Sequence, residues 1–262
     1  PCAGDAAGRL GGGNPQAFEL STPIDFSKSE LERYSRQILL YGKAGQQRLK
    51  DARVIVIGAG GLGSTFLPVL AASGIGNIVV YDADTVERSN LGRQLLYTEA
   101  DLGKPKASAA ADRLMAINPF IQLQGIPRRF DETEAGALRT ASLVFFFSDS
   151  LRTKFLLNDL CLSAGIPLVI SALGNAQGHT MLVSGSDSAC YRCIFEEIDE
   201  QELPTCANEG ILSAFPALVA AQAAHVAIRR ILDANLPAGF WVFEKSHCRN
   251  VSVRRRKDCL HP

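Results

Sequence analysis

A short apolar, β-branched run, Val54 to Ile57, leads straight into glycines at G-x-G-x-x-G spacing, Gly58, Gly60 and Gly63, within VIVIGAGGLGS (Val54 to Ser64). Such a run reads as a buried parallel strand, and the turn that follows is too tight to accept a Cβ at each of those positions. The next helix directs its free N–H groups and the positive end of its dipole at whatever lies over the turn, which suits a phosphate. A second apolar strand, Ile78 to Tyr81, closes on Asp82, nineteen residues past the last glycine, where a doubly wound nucleotide site holds a carboxylate for ribose hydroxyls. The pattern constrains the chain to an α/β fold with a nucleotide at the carboxyl ends of its strands. The glycines alone do not decide between a dinucleotide and ATP.

Read onward, the chain repeats strand and helix. A helix near 105–117 ends at Asn118-Pro119, a strand is expected near 121–126 and a short helix near 132–138. Ser142 to Ser148 carries a buried LVFFF core; a helix near 151–164 and a strand at Pro167 to Ile170 follow. This alternation predicts a doubly wound, mostly parallel sheet. After Ala172 the pattern becomes alternating, in GHTMLVSG (178–185) and FWVFEKSHCRNVSVRRR (240–256), which predicts antiparallel strands extending the same sheet. Residues 1–27 read as a flexible Gly/Ala/Pro-rich tail, 28–172 as the nucleotide-binding part, and 173–262 as a second part of the same domain. The RLGGG at Arg9 to Gly13 is taken as an accident of that composition. A helix capped by Ser27 or Ser29 is expected from about Lys28 to Tyr41, ended by Gly42, with Arg33 and Arg36 on one face.

The 27 basic and 27 acidic residues cancel, so no global field recruits nucleic acid or an anionic membrane. Ile211 to Ile228 is uncharged and near membrane-span length, but Pro216, Gln222, His225 and its many alanines make it a helix buried under the sheet. Seven unevenly spaced cysteines in a chain of 262 residues argue against a disulfide framework and for a reducing, cytoplasmic setting. No leader is visible.

Several side chains carry chemistry at the expected strand ends. Asn90, Arg93 and Gln94 in SNLGRQ (Ser89 to Gln94) form a polar, cationic loop suited to phosphates and ribose. Lys106 opposes the dipole at a helix N-terminus, a placement that an anion such as an α-phosphate would explain. Asp149 follows the buried FFFS strand and could hold Mg²⁺, or cap the helix from Leu151. Cys190 and Cys193 form a C-x-x-C that reads as half of a zinc site ahead of a redox pair, with Cys259 as a third ligand. Pro262 stands where a fourth sulfur would fall, and His261 is tight as a substitute. Cys206, in a polar stretch ahead of the long helix, is a candidate nucleophile or a buried thiol.

RYSRQILL, GAGGLGS, YDADTVERSNLGRQ, GKPK, SDS, CYRCIF and the Thr205-Cys206…Gly210 stretch together resemble the ubiquitin-activating-enzyme superfamily, from about Arg33 to Cys259. The likeness is greatest to homodimeric members that adenylate ubiquitin-like sulfur-carrier proteins in molybdopterin, thiamine and tRNA-thiolation chemistry. The resemblance implies a Rossmann-like domain with a zinc-bound second lobe that meets the carrier, and ATP, Mg²⁺ and Zn²⁺ as cofactors. It implies ATP contacts from Gly58, Gly60, Gly61, Gly63, Asp82, Asp84, Asn90, Arg93, Gln94 and Lys106, with Asp82 on the ribose. It also implies Mg²⁺ on Asp149, Arg36 reaching across a homodimer, and Cys206 in a role that varies among members. Ser150 replaces a frequent asparagine, and no rhodanese-like segment follows Cys259, so sulfur is expected from another protein (a separate sulfurtransferase) or from a removed segment. Adenylation of a peptide or a tRNA-linked carboxylate, and NAD-dependent oxidoreduction, remain the alternatives.

Overall fold

The computed structural model describes residues 24–174, 177–185, 188–195, 210–244 and 247–259. The chain enters through α1 (Lys28–Arg33) and α2 (Ser35–Asp51), then runs β1 (Arg53–Ile57), α3 (Gly63–Ser73) and β2 (Asn77–Tyr81). A long loop leads to α4 (Lys106–Ile117) and β3 (Gln122–Ile126), followed by α5 (Ala135–Leu138), β4 (Leu143–Phe146), α6 (Leu151–Ser163) and β5 (Leu168–Gly174). Beyond them lie β6 (Gln177–Val183), α7 (Tyr191–Ile194), α8 (Ala214–Leu232), β7 (Gly239–Glu244) and β8 (His247–Val251).

These strands form one eight-stranded sheet ordered β3-β2-β1-β4-β5-β6-β7-β8. The first five in that order run parallel, and β6, β7 and β8 are added antiparallel. Helices cover both faces of the parallel part, so β1 and β4 are buried on both sides and their continuous apolar runs follow from that. One core gathers Phe66, Phe145 and Val219 with α3, α4 and α8; the opposite core gathers Ile55, Phe146 and Phe155 with α6 and α7. The alanine-rich α8 packs against α3, β5 and β6, with Ala220, Ala223, Ala224 and Ala227 buried and His225 exposed. Among the described residues no helix is long and apolar enough to cross a membrane.

The N-terminal helix differs from the sequence expectation. Ser27 forms a capping box with Glu30, but the helix breaks at Tyr34, whose φ of −93° and ψ of 7° leave the helical range. The cause is tertiary: the buried Tyr34 hydroxyl accepts a hydrogen bond from Asn118 at 2.8 Å, and the Asn118 amide also donates to the Ala71 carbonyl. Arg33 and Arg36 therefore lie on different helices. Gly42 breaks the helix as expected (φ 70°, ψ 174°), but helical structure resumes and runs to Asp51. The end of the expected tail is held in place, because Asp25 donates to Gln47 and Lys50 donates to the Asp25 carbonyl at 2.7 Å. Residues 1–23, with RLGGG, lie outside the described residues.

Candidate active site

The glycine turn joins β1 to α3 at the carboxyl end of the sheet. Gly58 has φ of +103°, and a Cβ there would meet the backbone of Phe147 and Ser148 at 2.9 Å; a Cβ at Gly63 would meet the Gly58 carbonyl at 2.1 Å. Those two glycines are demanded by the protein's own backbone. Gly60 and Gly61 are not: the nearest atoms to a Cβ would be Gln94 Nε2 at 3.8 Å and Pro216 at 3.7 Å. Among the described residues no acceptor takes the N–H groups of Gly60, Gly61 and Leu62. The turn thus presents bare donors at a helix N-terminus, an anion cradle.

Asp82, at the end of β2, closes the turn from below. Its Oδ2 accepts from the Ala59 N–H at 2.7 Å and its Oδ1 from the Asp84 N–H at 2.9 Å. Burial raises its pKa, and the two backbone donors and Lys106 counter that rise. A ribose would have to use the remaining lone pairs of this carboxylate. Lys106 opens α4 with its side chain only 7% exposed, its ammonium 3.0 Å from the carboxylate of Asp84, which is 68% exposed. The backbone repeats the link, the Lys106 N–H donating to the Asp84 carbonyl at 2.8 Å.

Asn90 and Gln94 are buried, and Asn90 Oδ1 and Gln94 Oε1 have no hydrogen-bond partner. Gln94 stands beside the open glycine turn, its Nε2 3.8 Å from the place of a Cβ on Gly60, and the two orphaned amide oxygens fit a ligand that donates hydrogen bonds. Arg93 is half-buried and donates to the Ser89 carbonyl at 3.0 Å. Asp149 stands exposed past β4, accepting from the Ser148 hydroxyl. It does not cap α6: Ser150 does, its hydroxyl accepting from the Thr153 N–H at 3.2 Å. The glycine turn, Asp82, Asp84, Gln94 and Lys106 are thus brought together. Arg36 is exposed on α2 and takes part in none of these contacts among the described residues. Cys206 lies outside the described residues.

Two features of the site are absent from the sequence expectation. Tyr97 is buried and donates through its hydroxyl to the Ala59 carbonyl at 2.8 Å. Asp101 accepts from Lys104 at 3.0 Å, from Arg113 at 2.6 Å and from the Thr98 N–H, in a capping box whose Thr98-x-x-Asp101 spacing is visible in the sequence. Burial alone would raise the Asp101 carboxyl; the bonds from Lys104, Thr98 and Arg113 outweigh it and hold the group well below the carboxylate range.

A second cluster lies on the α6 face. Cys190 Sγ is 3.8 Å from Cys193 Sγ and 3.7 Å from Cys259 Sγ, and all three sulfurs lie within 4.8 Å of one another. Tetrahedral zinc, with Zn–S near 2.3 Å, sets its sulfurs about 3.8 Å apart, so the three thiols fit such an ion. The Arg256 N–H points at Cys193 Sγ at 3.4 Å. Cys190 precedes α7 rather than a plain turn, and Asn158 of α6 accepts the Tyr191 N–H at 2.8 Å. A fourth ligand is not among the described residues; His261 and Pro262 lie outside them.

A model of the ThiF family matches residues 34–260. The sulfur carrier protein adenylyltransferase of Thermus thermophilus is 38% identical over 247 residues, covering 89% of this chain and 91% of that protein. The SAMP-activating enzyme E1 of Haloferax volcanii is 40% identical over 215 residues, covering 80% of this chain and 79% of that protein. Among solved structures, E. coli MccB with AMPCPP and selenomethionine MccA is similar with a TM-score of 0.75 at 26% identity, covering 87% of this chain and 73% of that one.

Proposed function

The chain belongs to the ThiF family, and from that premise we propose that it is an ATP-dependent adenylyltransferase of a ubiquitin-like sulfur-carrier protein. The carrier's C-terminal glycine carboxylate attacks the α-phosphate of ATP, pyrophosphate leaves, and an acyl-adenylate results. The sequence likeness is stronger to proteins named for activating a sulfur carrier protein or SAMP than to MccB, which favours a carrier over a peptide as the acid activated.

One observation carries the reading: a buried lysine at a helix N-terminus, beside a glycine turn with bare N–H groups and two orphaned amide oxygens. The lysine ammonium and the bare N–H groups suit a triphosphate, and the amide oxygens, which only accept, suit the ribose hydroxyls. Phosphoryl and nucleotidyl transfer ask the protein mainly to position anions and offset their repulsion. Lys106 meets the charge developing at the α-phosphate, and Arg93, Asn90 and Gln94 hold the remaining phosphates and ribose. Asp82 meets the ribose hydroxyls. Asp149 would hold Mg²⁺, which would supply neutralising charge to the triphosphate.

The catalytic unit is a homodimer in which Arg36 of a second copy completes the phosphate site. Leu39 and Leu40, which follow Arg36 on α2, are 78% and 79% exposed, an apolar pair that a second copy would cover. Residues 28–172 bind the nucleotide; residues 173–262 hold zinc through Cys190, Cys193, Cys259 and a fourth ligand, and meet the carrier. Cys206 is available for a covalent link to the carrier. Calorimetric titration tests the nucleotide: ATP with Mg²⁺ should bind and NAD⁺ should not, while NAD⁺ binding without ATP binding would contradict the assignment.

A further inference from the structure

Three elements supply the groups that address the nucleotide: the glycine turn, the loop with Asn90, Arg93 and Gln94, and the start of α4 with Lys106. They come from distant parts of the sequence, and adenylation requires their relative placement to be fixed closely. Tyr97 is the residue at which they meet. Its N–H donates to the Gln94 carbonyl at 3.3 Å, its hydroxyl donates to the Ala59 carbonyl at 2.8 Å, and the same hydroxyl lies 3.3 Å from the Lys106 carbonyl. The side chain is 4% exposed. A phenol has one proton, and the nearer carbonyl, that of Ala59, receives it. Burial, with the charges of Asp82 and Asp101 nearby, holds the phenol far above its ordinary range, so it stays a donor.

The consequence follows from peptide geometry. The Ala59 carbonyl and the Gly60 N–H belong to one planar trans unit and point in opposite directions. Holding the carbonyl inward on Tyr97 therefore turns the Gly60 N–H outward, toward the bare donors of Gly61 and Leu62. The preceding peptide is held too, because the Ala59 N–H is taken by Asp82. Gly60 has no Cβ, and the nearest atom to one would be Gln94 Nε2 at 3.8 Å, so no side chain at Gly60 itself prevents this peptide from rotating. A rotated peptide would present a carbonyl oxygen to the phosphates and withdraw a donor.

We propose that Tyr97 is a positioning residue of the adenylation site, its hydroxyl locking the Ala59–Gly60 peptide with the N–H facing the nucleotide. The inference rests on the adenylyltransferase reading of the site. Tyr97→Phe in the full chain keeps the ring and removes the lock. Carrier-dependent ATP–pyrophosphate exchange should then show kcat/KM for ATP lowered about tenfold, the worth of one net hydrogen bond, with the KM for carrier unchanged. Leu182→Ala, a core truncation on β6, is the stability control: it lowers the unfolding midpoint and leaves the KM for ATP unchanged. A second measurement needs no variant. In the wild-type chain the Gly60 amide should shift and gain exchange protection on ATP binding.

A Tyr97→Phe protein with kcat/KM for ATP within about twofold of wild type would overturn the proposal, as would a loss matched by the Leu182→Ala control. A Gly60 amide indifferent to ATP would do the same. A wild-type chain that neither binds ATP nor exchanges pyrophosphate would instead remove the adenylyltransferase reading itself.

Discussion

The parallel half of the sheet holds its functional groups with the chain's own hydrogen bonds. Asp82 fixes the Ala59 N–H, Tyr97 fixes the Ala59 carbonyl, Asp84 holds Lys106, and Asp101 ties Thr98, Lys104 and Arg113 together behind the loop. The antiparallel half is held differently. His179 of β6 stacks on Phe195 at 4.9 Å, Tyr191 stacks on Phe195 at 4.5 Å, and three thiols crowd together beside them. Burial pushes the Cys190 thiol up to about 11, and the neighbouring thiols add to that, so a cation is what would hold Cys190 as a thiolate. One half is preorganised from within; the other would be completed by the proposed metal ion. Damage to the first should therefore appear in catalysis, and damage to the second in stability.

The largest expected effect tests the first half. Lys106→Ala should lower carrier-dependent exchange by about 10²-fold or more, a typical cost for one charge at the transition state, with little change in the unfolding midpoint. Near-wild-type exchange would remove Lys106 from the chemistry. Next comes the dimer: Leu39→Glu with Leu40→Glu should give a monomer by light scattering and lower exchange by about tenfold or more, because Arg36 then has no neighbour to serve. A monomeric double variant with full activity would break that claim.

The second half should respond in the opposite sense. Cys193→Ser, or removal of zinc by chelation, should lower the unfolding midpoint by more than about 5 °C, while ATP affinity measured well below that midpoint stays the same. An equal loss of ATP affinity would erase the distinction between the halves.

The smallest effect is in pH. Burial holds the His179 imidazole down near 3, with Lys154 adding to the shift, against 6.5 for the free group. Between those values the unfolded chain binds the extra proton, so this contribution is complete above about 6.5 and is lost as pH falls toward 3. Asp101, held low, loses its contribution only on further acidification. His179→Phe should flatten the decline of the unfolding midpoint between pH 7 and pH 5; an unchanged decline would place the acid sensitivity elsewhere.

The sheet was readable from the sequence because its strands are short apolar runs separated by turn residues and helices of ordinary length. Gly58 and Gly63 were readable for the same reason: a tight strand-to-helix turn has one local solution. Tyr34 was not, since its break of the N-terminal helix comes from Asn118, distant in the chain. Tyr97 and Asp101 also escaped, although Thr98-x-x-Asp101 spacing was available, because their importance lies in which backbone groups they meet. Asp149 was read as a candidate cap of α6, and the structure gives the cap to its neighbour Ser150. The three zinc-type cysteines were legible by chemistry, whereas their closure needed β8 and the segment after it to fold back onto α7.

The account stands or falls on activation of a carboxylate by ATP. The direct measurement is pyrophosphate exchange by the wild-type chain with Mg²⁺, ATP and a panel of ubiquitin-like carriers, each paired with a form whose C-terminal glycine is amidated. Exchange that appears with one intact carrier and vanishes with its amide is the predicted result; no exchange with any carrier, in a chain that binds ATP, would contradict it.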